Sequence, residues 1–182
     1  VLELSSLQGP NGFQINGEDR YNYSGFSVSA AGDVNNDGFG DLIIGAPYAS
    51  NGTCYVVFGK AGGFGASLNL RTLDGTSGFQ INGEAAGDYS GGSVSAAGDI
   101  NGDGFGDLII GANLADPNGY SSGASYVVFG KASDFAASLN LSTLDGSNGF
   151  KINGEAAYDP SGISVSAAGD INGDGFGDLI IG

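Results

Sequence analysis

Apolar and polar residues alternate strictly in Phe26-Ser-Val-Ser-Ala30, the period of a half-buried β-strand. A polar, glycine-rich stretch follows, and then three apolar residues in a row, Leu42-Ile-Ile44, and a third run, Tyr55-Val-Val-Phe58. Runs this short, β-branched and bounded by glycine, predict strands and not helices. The unbroken runs predict burial on both faces, and therefore sheets packed against other sheets. A fourth strand is expected around Leu68-Asn-Leu70, continuing to Phe79-Gln-Ile81.

The set then recurs. Phe13-Gln-Ile-Asn-Gly-Glu18 returns as Phe79 to Glu84 and as Phe150-Lys-Ile-Asn-Gly-Glu155, and Tyr55-Val-Val-Phe-Gly-Lys60 returns as Tyr126 to Lys131. The second unit is longer only between Gly111 and Tyr126. Four strands in a unit of 40 residues or more is the signature of a propeller blade, so the expected fold is all-β. The expected divisions are residues 1–18 as the last strand of a preceding blade (about Leu2 to Ile15), 19–85 and 86–156 as two full blades, and 157–182 as the first two strands of a third. Propellers close with four to eight blades. The blades present are thus expected to pair with neighbouring blades of a longer chain or with other copies of this one. The chain contains no methionine, so a processed protein or a segment of something longer is expected.

Between the first and second strand of each unit lies a nine-residue pattern, Asp33 to Asp41, Asp99 to Asp107 and Asp170 to Asp178, with oxygen-bearing side chains at positions 1, 3, 5 and 9 and glycine at position 6. The opening fits half of an EF-hand loop, which needs a bidentate glutamate at position 12. That position holds Ile44, Ile110 and Ile181, and the flanks read as strands, so the EF-hand fails twice. The remaining reading is a calcium loop joining two strands, because alternating carboxylates around a glycine turn suit a hard cation. The expected ligands are Asp33, Asn35, Asp37, the Phe39 carbonyl and Asp41 in the first copy. In the second they are Asp99, Asn101, Asp103, Phe105 and Asp107, and in the third Asp170, Asn172, Asp174, Phe176 and Asp178. A plain Asn/Asp/Gly turn needs only one or two such residues, and three aspartates crowded together repel one another without a cation.

There are 20 acidic and 5 basic residues, a formal charge of -15, and no histidine. This excludes nucleic acid and attraction to anionic lipid, and suits an extracellular solute or surface protein in millimolar calcium. No apolar run is long enough for membrane insertion. Cys54 is the only cysteine, which rules out an intramolecular disulfide and suggests a small buried side chain. Tyr55 and Tyr126, repeated within apolar strands, are expected in the core.

On these residues the chain resembles the FG-GAP repeats of the integrin alpha-chain β-propeller and its bacterial relatives. Phe58-Gly59 and Phe129-Gly130 supply the FG, and Gly45-Ala46-Pro47 the GAP; Gly111-Ala112-Asn113 departs at proline alone. The resemblance implies calcium loops between first and second strands and a ligand-binding face at the opposite end. That face would hold the acids repeated in the blade-to-blade links (Glu18, Glu84 and Glu155; Asp88 and Asp159, with Asn22 in their place) and the variable segments 46–54 and 112–125. Loops on a rigid scaffold carry function, so Tyr48, Glu84, Asp88, Asp116 and Tyr120 are candidate ligand contacts. For Glu84 and its equivalents the alternative is a scaffold role, capping turns or bonding backbone. The expected function is a calcium-stabilised extracellular module for protein or glycan adhesion. The alternatives are an architectural surface protein, or a glycan-active enzyme using a carboxylate pair such as Glu84 and Asp88. No Ser-His arrangement exists to support other hydrolytic chemistry.

Overall fold

The computed structural model describes residues 3–132 and 135–182. Leu2, the expected start of the first strand, lies outside them, as do Ser133 and Asp134 within the second unit. Among the described residues thirteen strands appear, β1 to β13, with three short 3-10 turns. The first full sheet runs β2 (Ser27–Gly32), β3 (Asp41–Ala46), β4 (Thr53–Val57) and β6 (Gly78–Asn82), all antiparallel neighbours. The second repeats it with β7 (Ser93–Gly98), β8 (Asp107–Ala112), β9 (Ala124–Val128) and β11 (Gly149–Asn153). The final hairpin is β12 (Val165–Gly169) with β13 (Asp178–Ile181). No helix among the described residues is long and apolar enough to cross a membrane.

Two expectations about strands change. The opening strand is only β1 (Gln14–Asn16), because Gly9 and Gly12 exchange backbone hydrogen bonds of 2.9 and 3.1 Å in a turn around Pro10, whose ring supplies no donor to a ladder. The segment near Leu68 does not continue into the fourth strand either. It forms a separate β5 (Ser67–Asn69) that reaches back to pair in parallel with β1, and its counterpart β10 (Ser138–Asn140) pairs in parallel with β6. A phenylalanine anchors each crossing. Phe64 stacks on Phe13 at 4.3 Å, and Phe135 on Phe79 at 4.7 Å.

The middle strands are buried on both faces, as the unbroken apolar runs require: every residue of β8 and β9 is buried. Cys54, Tyr55 and Tyr126 lie in the core. One hydrophobic cluster joins the blades, with Val56, Phe58 and Phe79 from the first against Val94, Leu108 and Tyr126 from the second. The first-strand valine reports the stacking directly. Val94 and Val165 are 6% exposed beneath a preceding blade, whereas Val28 is 67% exposed.

The glycine of the GAP motif makes this stacking possible. A Cβ at Gly45 would stand 2.0 Å from the Gly91 carbonyl oxygen of the next blade, and one at Gly111 would stand 2.1 Å from that of Gly162. Any side chain there would push the blades apart.

Candidate metal centre and ligand face

Each acidic loop spans the hairpin between first and second strand, after a bulge that shifts register between Ala30 and Gly32, and again between Ala96 and Gly98. Its first aspartate organises the turn. Asp33 Oδ1 accepts from the Asp37 amide at 3.0 Å, and its Oδ2 from the Gly38 amide at 2.9 Å. Asn35 Oδ1 accepts from the same Asp37 amide, and Asp37 Oδ1 from the Phe39 amide. Asp99 and Asp170 repeat this, each accepting from the amides at positions 5 and 6.

The last aspartate is the structural pivot. Asp41 is buried, and its carboxylate accepts from the Val34 amide at 2.8 Å and from the Gly59 amide at 2.8 Å. Asp107 does the same with Ile100 and Gly130, at 2.8 and 2.9 Å. The FG glycine is thereby explained: it docks its amide on the acidic loop, and a Cβ at Gly59 would lie 2.5 Å from the Gly40 oxygen. Burial pushes the Asp41 carboxyl up, against its two amide partners and with help from the nearby charges of Asp37 and Asp33; Asp107 is raised for the same reasons. Asp170 is lowered, chiefly by the Gly175 amide.

The loops are also tied to one another. Gly106 in the second loop donates to the Asp33 carbonyl at 2.9 Å, and Gly177 in the third to the Asp99 carbonyl at 2.8 Å. Each loop thus leans on its neighbour across the blade boundary.

Among the described residues no group of three carboxylates converges as a ready-made metal cage. The aspartates turn toward loop amides instead. The donor chemistry still fits a hard cation, because each loop offers only oxygens. An ionised carboxylate also has about four lone-pair positions, so one that accepts two amides keeps capacity for a metal. The Phe39 and Phe176 side chains project outward, 40% and 46% exposed.

At the other end of the strands the candidate ligand residues separate into two kinds. Glu84 and Asp88 are engaged with the scaffold. Glu84 accepts from the Tyr126 hydroxyl at 2.8 Å and is ion-paired with Lys151. Burial pushes its carboxyl up, but the Lys151 and Tyr126 hydrogen bonds and the Lys151 charge outweigh it, and the net direction is down. The Asp88 carboxyl is raised, mainly by burial, and its carbonyl accepts from the Leu114 amide at 3.2 Å. Asp116 accepts from the Ser121 amide and holds its own turn.

The tyrosines pack instead against other aromatic rings, and the Tyr120 carbonyl accepts from the Tyr158 amide at 2.8 Å. Tyr48 meets Tyr23 at 4.9 Å, Tyr89 at 5.0 Å and Phe26 at 6.1 Å, and Tyr120 meets Tyr158 at 5.4 Å. Tyr23 and Tyr158, both exposed, and Tyr89 carry no reading from the sequence, and Phe26, also exposed, is read there as a strand residue alone. The sequence does carry a signal, since Tyr23 and Tyr89 occupy equivalent Tyr-Ser-Gly positions just before a strand; in the structure both adopt positive φ (53° and 64°).

The FG-GAP repeat family model matches residues 24–63 and 85–128. Integrin alpha-5 of Xenopus laevis is 30% identical over 172 residues, 93% of this chain and 15% of that protein. Integrin alpha-PS5 of Drosophila melanogaster is 40% identical over 92 residues, 50% of this chain and 9% of that one. Phosphatidylinositol-glycan-specific phospholipase D of Bos taurus is 32% identical over 177 residues, 89% of this chain and 19% of the enzyme. The chain therefore spans less than a fifth of the length of each of these relatives. With its all-β sheets and the FG and GAP glycines at the loop and blade contacts, it carries FG-GAP repeats and is related to integrin alpha chains over most of its length.

Proposed function

We propose that this chain is part of a calcium-stabilised β-propeller acting outside the cell as a binding or adhesion module for protein or glycan. The observation that carries the reading is the triplicated loop, whose earlier positions present oxygens alone and whose last aspartate, in the two full blades, ties the loop to the FG glycine. Calcium would be held by Asp33, Asn35, Asp37, the Phe39 carbonyl and Asp41, and by the equivalent residues of the other two loops. It would neutralise aspartates that repel one another and fix each hairpin to the blade. The integrin relatives support an extracellular setting and a partner-binding role. Neighbouring blades of a longer chain, or other copies of this one, would complete the ring. Thermal melts with calcium and with chelator test this. Native-state binding at a hundredfold over the dissociation constant contributes about 2.7 kcal/mol per site, so chelation is expected to lower the melting temperature; identical melts would overturn the calcium reading.

A second reading, part of an enzyme, draws on the phospholipase D relative. Glu84 and Asp88 are the carboxylates in question, and the Lys151 pair and Tyr126 hydrogen bond occupy Glu84. Loss of turnover in a folded Glu84→Gln variant would favour this second reading.

A further inference from the structure

A cleft of about 580 Å³ opens where the link after β1, the β3–β4 connection and β6 meet. Asn22, Asn51, Gln80, Asn82 and Asn140 contribute side-chain amides, and Ala49 is the one hydrocarbon side chain in the wall. The amides form an ordered relay, with Gln80 Nε2 donating to Asn82 Oδ1 at 2.6 Å and Asn82 Nδ2 to Asn140 Oδ1 at 2.9 Å. Two of the carboxylates at the rim already have cationic partners, Asp19 in Arg71 at 3.1 Å and Glu84 in Lys151. What the cleft offers is therefore paired donors and acceptors with little unbalanced charge, which suits a ligand rich in hydroxyls and carrying no charge itself.

Two further observations point to the same ligand. Glu18 and Asp19 of the wall also line a neighbouring hollow together with Tyr23, and Tyr23 meets Tyr48 at 4.9 Å, so the cleft adjoins the tyrosine cluster. Three rings of that cluster are more than half exposed: Tyr23 60%, Tyr48 54% and Phe26 52%. An amphipathic ring with an exposed face suits the C–H face of a sugar ring. The second observation is the Tyr55 hydroxyl, which is buried without a hydrogen-bond partner. The Glu18 carboxylate, also in the wall, is near enough to add to the burial that raises its pKa. Tyr55 sits opposite Gln80 in the β4–β6 ladder, as Tyr126 sits opposite Lys151. In the second blade the lysine closes the arrangement with an ion pair to Glu84. In the first blade the glutamine leaves it open.

We propose that this junction binds an uncharged glycan, with a pyranose ring stacked on Tyr48 or Tyr23 and its hydroxyls met by the amide relay of Gln80, Asn82 and Asn140. The inference rests on the reading that the face opposite the acidic loops takes the partner. The test is titration of the full chain in millimolar calcium with cellohexaose, mannohexaose and chitohexaose, followed by calorimetry and by side-chain amide resonances. A heparin-derived hexasaccharide and hexalysine serve as charged probes. At least one uncharged hexasaccharide is expected to bind and to shift the Asn82 and Asn140 amides. Tyr48→Ala should weaken that binding by about tenfold, equivalent to about 1.4 kcal/mol, and Gln80→Lys should abolish it with the melting temperature retained. Binding only of a charged probe, no binding of any uncharged one, or binding indifferent to Tyr48→Ala would overturn the proposal. A chelator melt on the same sample separates the two levels. Calcium stabilisation without glycan binding sinks this inference alone, whereas no calcium stabilisation sinks the calcium reading of the acidic loops.

Discussion

The carboxylate of Glu84, in the link leaving the first blade, accepts a 2.8 Å hydrogen bond from the Tyr126 hydroxyl in the third strand of the second. The bond crosses the blade boundary over a fully buried ring, and the equivalent ring, Tyr55, lacks a partner on its hydroxyl. Removing the two hydroxyls should therefore have unequal effects. Tyr126→Phe is expected to cost about 1.5–3 kcal/mol, the range for a hydrogen bond to a charged group, and Tyr55→Phe to cost about nothing or to stabilise. Urea unfolding of the pair measures the difference directly.

The same glutamate predicts a pH dependence. Its folded pKa is lowered from 4.5, so its contribution to stability is fully present above the unfolded value and is lost as pH falls through the folded one. Stability should fall through this site as pH drops below about 4.5, more steeply in the natural chain than in Lys151→Gln, where the carboxylate loses its ion pair. Denaturant midpoints across that range, together with the Glu84 side-chain resonance, follow it.

Within each acidic loop the aspartates are expected to divide into structural and metal-dependent kinds. Asp107→Ala leaves the Ile100 and Gly130 amides without acceptors, which should cost about 2–5 kcal/mol even in chelator. Asp103 is exposed, and Asp103→Ala should cost less than about 1 kcal/mol in chelator. The same substitution should nevertheless remove the calcium gain of that loop. Melts of both variants in calcium and in chelator separate the roles.

A third contrast concerns backbone proximity. An alanine at position 111 would place its Cβ 2.1 Å from the Gly162 carbonyl, whereas one at position 65 would meet nothing within 4 Å. Gly111→Ala should destabilise by more than about 3 kcal/mol through overpacking at the blade contact. Gly65→Ala should be neutral, or stabilise by up to about 1 kcal/mol through the unfolded state. Thermal melts of the two single variants suffice.

The hydrophobic pattern carried most of the fold. Leu42-Ile-Ile44 read as doubly buried lies in a strand whose residues are nearly all buried, and Tyr55 and Tyr126 lie in the core as their repetition suggested. The pattern could identify Leu68-Asn-Leu70 as strand-like but not its partner. Its pairing with β1 depends on Phe64 reaching the preceding blade, a tertiary contact with no local signature. The loop aspartates were legible for a similar reason to the core, since spacing alone fixes which ones share a turn. Their actual orientation toward amides was not, because it depends on Gly59 and Gly130 arriving from a strand far along the chain. Tyr48 stood out in its variable segment, but its three aromatic neighbours converge only once two blades and a link are folded together.

The parallel crossings of β5 and β10 have a consequence for solubility. A β-sheet with a bare outer rim invites another chain to add to it and continue adding, the route to fibrils. Here the rims of β1 and β6 are each occupied by a three-residue strand lent by the following unit, too short to template much further pairing. Each unit therefore shields the one before it, and a chain so repetitive can carry near-identical blades side by side without their sheets fusing sideways into one another.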